Sequence, residues 1–109
     1  MSRGEELISS LLRKEKIPFE KEKTFIDLKM GRYRYDFYIA DLHGRRTVIE
    51  YNGAQHYGYI SAFYPSMKSW LGALERDRAK ISYALANDID IYIIPYWDYD
   101  KLRNANDLF

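Results

Sequence analysis

Tyr33-Arg34-Tyr35-Asp36-Phe37-Tyr38-Ile39-Ala40 and Arg46-Thr47-Val48-Ile49-Glu50-Tyr51 stand on either side of Asp41-Leu42-His43-Gly44. Both flanks are rich in aromatic and β-branched residues, and the polar link ends in glycine, so the stretch predicts a β-hairpin. Each predicted strand carries one acid, Asp36 or Glu50. A carboxylate in a buried strand is costly unless a cation or hydrogen bonds compensate it. Val48, Ile49 and Tyr51 mark the second strand as central, which makes Glu50 harder than Asp36 to read as plain surface. On neighbouring antiparallel strands the two acids can come within metal-sharing distance. An all-oxygen pair suits a hard divalent ion such as Mg²⁺, which keeps several of its waters.

Immediately downstream, Asn52-Gly53-Ala54-Gln55-His56-Tyr57 ends the strand at Gly53 and delivers Gln55 and His56 behind Glu50. A lone histidine is more often surface or satisfied core, but this placement favours a functional role for His56. His43, at the hairpin tip, reads as a turn residue.

At the N-terminus, Ser2-Arg3-Gly4-Glu5 has the pattern of a capping box. Leu7, Ile8, Leu11 and Leu12 then form one helical stripe, closed by Ile17-Pro18. Glu5 falls beside the stripe and Glu6 nearly opposite it; Ser2 alone is enough to explain Glu5, so a functional role there is an even choice. Residues 19–28 predict an extended segment, and 57–69 a loop. A helix over 70–87 places Leu71, Leu74, Ile81 and Leu85 on one face. Asp77 points inward at the sheet rim, able to orient the histidine or to pair with Arg78. Arg78 falls near the middle of the apolar stripe, and Lys80 on its outer flank, toward phosphate or solvent. Residues 89–95 predict a last strand, and 97–108 a short helix or irregular tail. The order α-β-β-β-α-β predicts one domain over 1–109, an α/β sandwich around a mixed sheet.

Composition narrows the chemistry. The 109 residues are 47% apolar, enough for one core. There is no cysteine, so disulfides and thiolate zinc sites are excluded. No apolar run approaches the roughly 20 residues of a membrane span, and the first residues lack a signal-peptide core; the expectation is a soluble, cytoplasmic protein without a membrane partner. Net charge is only +1, yet ten Lys/Arg face six Asp/Glu over residues 13–46, while acids outnumber bases after Ile81. That asymmetry suits a polyanion on one side. Eleven tyrosines, five phenylalanines and two tryptophans exceed what a small core needs, and some can stack on bases.

Four pieces taken together resemble the very-short-patch-repair endonuclease branch of the PD-(D/E)xK nucleases, including nuclease domains of phage homing endonucleases. They are Gly4-Glu5-Glu6-Leu7-Ile8-Ser9-Ser10-Leu11-Leu12, Tyr35-Asp36-Phe37-Tyr38-Ile39, Val48-Ile49-Glu50-Tyr51-Asn52-Gly53-Ala54-Gln55-His56, and Glu75-Arg76-Asp77-Arg78. The resemblance implies a restriction-endonuclease-like fold and a constellation mapping onto Glu5, Asp36, His56 and Asp77. It also implies a phage or mobile-element origin, hence the cytoplasm of a bacterial host. With Gln55 counted in the catalytic turn, Asp36, Glu50 and the backbone carbonyl of Tyr51 are expected to hold Mg²⁺, with Mn²⁺ as substitute. Arg32, Arg34, Arg76 and Lys80 are expected on phosphates, and Tyr59 and Tyr64 as aromatic wedges in the DNA. The expected substrate is double-stranded or branched DNA, nicked by a monomer or cut through both strands by a homodimer. One departure stands out: the superfamily usually places Lys two residues after the strand acid, or Asp or His in this branch, and here that residue is Asn52. The alternative is a DNA-binding module with a decayed site; a third reading is a structural or inhibitory protein on the same fold.

Overall fold

The computed structural model describes residues 2–58 and 66–109. Its elements follow the order α1 (Arg3–Lys14), β1 (Glu20–Thr24), β2 (Arg34–Leu42), β3 (Arg45–Asn52), α2 (Met67–Ala86) and β4 (Asp90–Pro95), with 3₁₀ turns at Tyr96–Lys101 and Ala105–Leu108. The predicted C-terminal helix or tail is thus two short 3₁₀ pieces. The four strands form one sheet in the order β1-β2-β3-β4. β1, β2 and β3 are antiparallel neighbours, and β4, returning through α2, lies parallel to β3. This is an α/β fold around a mixed sheet. Among the described residues no helix is long and apolar enough to cross a membrane.

The hairpin forms because His43 and Gly44 both adopt positive φ (55° and 83°), the two-residue geometry that matches strand twist. Asp41 fixes it by accepting the Gly44 N–H at 2.7 Å. Strand alternation then divides the core. Phe37, Ile39 and Ile49 meet Ile8, Leu11 and Leu12 of α1, together with Ile94 and Leu108. Tyr38 and Val48 on the opposite face meet Ala84 of α2, Leu28 and Ile89. Each helix therefore covers its own side of the sheet.

α1 starts as its sequence dictates: Ser2 accepts the Glu5 N–H at 3.1 Å. The return contact differs from a full capping box, because the Glu5 carboxylate takes the Ser2 hydroxyl (3.1 Å). Gly4 is required by packing, since a Cβ there would lie 2.1 Å from the Tyr51 ring.

α2 departs from the sequence expectation. Leu71 and Leu85 of the expected stripe are exposed, at 49% and 68%, and Arg78 is exposed with them. The buried positions are Ala73, Lys80 and Ala84, and Asp77 lies half-buried between them. Spacings of four, three and four residues make these one helical face. Small and charged side chains, rather than large apolar ones, seat this helix on the sheet.

The expected extended segment over 19–28 also divides. β1 covers only Glu20–Thr24; beyond it Phe25 packs on Tyr35, Tyr38 and Tyr83, and Lys29, Met30 and Gly31 all take positive φ.

Candidate active site

Asp36 and Glu50 face each other across the hairpin. The register pairs Phe37 with Ile49, so one further step sets Asp36 directly opposite Glu50, on the same face of the sheet. Side chains take over the backbone bonding there. The Asp36 N–H donates to Glu50 Oε1 at 2.8 Å, and the Tyr51 N–H donates to Asp36 Oδ2 at 2.8 Å. Each acid is held by the other strand's main chain, which fixes both carboxylates without flexible contacts.

Lys80 completes this arrangement. Its Nζ donates to Glu50 Oε2 at 2.6 Å, and both side chains are about nine-tenths buried, 11% and 9% exposed. The Tyr35 hydroxyl donates to the Lys80 carbonyl at 2.6 Å, fixing the helical turn that carries the ammonium. The outer-flank placement expected for Lys80 is therefore corrected: of the apolar residues that defined the stripe, Leu71 and Leu85 are exposed and Leu74 and Ile81 only half-buried. Its signal was present in the 73-77-80-84 spacing, which the larger leucines concealed.

The electrostatics follow from these distances. Burial, then the neighbouring Glu50 charge, pushes the Asp36 carboxyl up to about 7 from an ordinary 3.8. Burial also raises Glu50, with Lys80 pulling it back. Two acids this close titrate as a pair, and one lysine neutralises only one of them. The Glu5 charge adds to the rise at Asp36, so α1 brings a third carboxylate within electrostatic reach; Glu6 faces solvent.

His56 is held by Asp77. Its Nδ1 lies 2.8 Å from Asp77 Oδ2, with both side chains about three-quarters buried. With an Nδ1 proton shared to Asp77, Nε2 is the nitrogen left for proton exchange. Asp77 also shares a small cavity with Glu50, Asn52 and Lys80, walled by Ile81 and Ile91. Asn52 lies beside the Tyr57 hydroxyl, a neighbour that strand patterns do not reveal. The backbone of Gln55 lies in the 3₁₀ turn Ala54–His56, its side chain outside the described part, as are Tyr59, Phe63 and Tyr64.

A second, polar cleft opens at Asp36. Arg32, Arg34, Arg76, Lys80 and Asp36 line it together, so all four cations read from sequence as phosphate contacts converge beside one carboxylate. Glu22 also lines it and pairs loosely with Arg34 at 3.8 Å.

Among the described residues no group of three or more His, Asp or Glu side chains is placed to hold a metal ion. The donor set is two carboxylates, and the Tyr51 carbonyl faces the same neighbouring strand as the Tyr51 N–H that binds Asp36. Two carboxylates with room for waters are what Mg²⁺ takes, and an acid pair with one counter-charge too few gives a cation something to neutralise. Asp36 and Glu50 supply oxygen donors of the kind that ion takes. Comparison with protein-family models, with curated proteins and with solved structures gives no match.

Proposed function

We propose that the chain is a metal-dependent DNA endonuclease with a restriction-endonuclease-like arrangement of its α-β-β-β-α-β elements. The observation that carries this reading is the fixed Asp36–Glu50 pair, one charge short of neutral, whose Asp36 lines a cleft together with Arg32, Arg34 and Arg76. In this reading Asp36, Glu50 and the Tyr51 carbonyl hold Mg²⁺ or Mn²⁺. The ion supplies Lewis acidity and lowers the pKa of a bound water.

The remaining work falls to the protein. The arginines hold a DNA strand by its phosphates, a sequence-independent attraction. His56, oriented by Asp77, exchanges a proton through Nε2, taking it from the attacking water or giving it to the leaving oxygen. Lys80 offsets part of the rise that burial imposes on Glu50 and also lines the phosphate cleft. The superfamily's usual strand lysine is Asn52 here; Lys80 reaches the same carboxylate from the helix, which answers the departure seen in the sequence.

A supercoiled plasmid nicked with Mg²⁺ or Mn²⁺ and intact in EDTA is the expected result, with cleavage abolished by Asp36→Asn and DNA binding kept. Arg32→Ala, Arg34→Ala and Arg76→Ala should each lower the slope of log affinity against log salt by about 1. One observation favours the second reading, a DNA-binding module: both Glu50 oxygens are already engaged, by the Asp36 N–H and by Lys80. A gel shift in EDTA without nicking under any divalent ion would decide for that module. A double-strand break, rather than a nick, requires two copies or two successive cuts.

A further inference from the structure

The connection between β1 and β2 alternates anchors with exposed apolar side chains. Phe25 is packed against Tyr35 and Tyr38. Asp27 accepts the Tyr83 hydroxyl at 2.5 Å, and Leu28 is buried. Between and beyond these anchors, Ile26 and Met30 stand 82% and 71% exposed, the two most exposed large apolar side chains among those described. Lys29, Met30 and Gly31 take three successive left-handed conformations (φ 48°, 54° and 76°), which a non-glycine residue adopts at a cost. The space around Gly31 is open. A pinned and strained turn that pushes two apolar tips into water is not explained by the core.

Its surroundings are cationic and belong to the candidate site. Lys29 and Arg32 flank Met30, and Arg32 lines the polar cleft with Asp36. Asp36 lies six positions after Met30, so their Cα atoms are at most ~22 Å apart. A duplex rises about 3.4 Å per base pair, which places the turn within roughly six base pairs of a phosphate held at Asp36.

We infer that this turn inserts into the DNA minor groove, with Ile26 and Met30 wedged against base steps and Lys29 and Arg32 on the flanking phosphates. The inference rests on the DNA-binding reading above and goes beyond it by assigning a bending element and its residues. Apolar wedges of Ile or Met with flanking cations are a physical means of unstacking a step and bending the duplex. The anchors make the wedge preorganised, so little ordering is left to be done on binding.

The test uses Met30→Asn with Ile26→Gln; asparagine tolerates left-handed backbone, so the turn is kept while its tips lose apolar character. Binding is measured in EDTA on a roughly 20-base-pair duplex carrying dyes at both ends, so that bending appears as increased energy transfer. The wild type should bend the duplex. The double variant, with unchanged melting temperature, should bind about tenfold more weakly, without bending and with an unaltered salt slope. A variant that bends and binds like the wild type overturns the inference, as does a wild type that binds or nicks without bending. A wild type that self-associates through these tips, with the double variant monomeric and DNA binding unaffected, overturns it in favour of a second copy. A wild type that neither binds DNA nor nicks it removes the functional reading itself.

Discussion

Asp36→Asn should make the protein more stable while it destroys nicking. The Asp36 carboxyl stands at about 7 against an ordinary 3.8, a difference of about 3 units, or ~4 kcal/mol at 1.36 kcal/mol per unit. Partial exposure of Asp36 and its shared titration with Glu50 reduce the usable part to ~2 kcal/mol. A raised carboxyl favours the protonated folded state, so its contribution is fully present below the unfolded value near 4. It is lost as pH rises through about 7. Asparagine escapes that loss, and its side-chain oxygen can still accept the Tyr51 N–H that now reaches Asp36 Oδ2 at 2.8 Å. Thermal melts from pH 4 to 8 should therefore show almost equal melting temperatures at pH 4, and a variant roughly 8 °C more stable at pH 8. Mg²⁺ should raise the wild-type melting temperature at pH 8 and leave the variant unmoved. A variant that is less stable at pH 8, or whose advantage is the same at both ends, would refute the charge-strain argument.

Lys80→Met leaves Glu50 buried without its cation and should cost about 3 kcal/mol in urea unfolding at pH 7. Adding Glu50→Gln should restore most of it, and failure to do so would mean that Lys80 stabilises by packing alone. His56→Ala should slow nicking by about 10²–10⁴-fold with a melting temperature within a few degrees of wild type. Lost stability with normal turnover per folded molecule would make the imidazole purely structural. Gly4→Ala drives a methyl group into the Tyr51 ring and should cost about 1–3 kcal/mol, read as a lowered melting temperature.

What was legible in the sequence was whatever short-range pattern controls. Asp36 and Glu50 could be placed on adjacent strands because the runs flanking Asp41-Leu42-His43-Gly44 are rich in aromatic and β-branched residues and the turn joins them as a hairpin. His56 and Asp77 come together, one of the two pairings the sequence left open for Asp77, the other being Arg78. Lys80 was not legible, because the wheel follows large apolar residues, whereas α2 docks through Ala73, Asp77, Lys80 and Ala84 and leaves Leu71 and Leu85 outside. Tertiary electrostatics overrode the local pattern there. The turn after β1 was equally hidden: of its three left-handed residues only Gly31 advertises that backbone, and Lys29 and Met30 give no sign of it.

The charges of the pair also couple the hairpin to α2 during assembly. The two acids belong to one hairpin and are 14 residues apart in the chain, whereas the ammonium that balances one of them arrives 30 residues after Glu50. A chain that has closed the hairpin but not yet seated α2 holds two facing carboxylates with no lysine between them. Such a hairpin is penalised at neutral pH, so the sheet centre and the second helix gain stability together rather than in turn. Closing the hairpin and docking α2 are thereby expected to stabilise each other. Mild acid, by protonating the pair, is the condition under which the hairpin can form first.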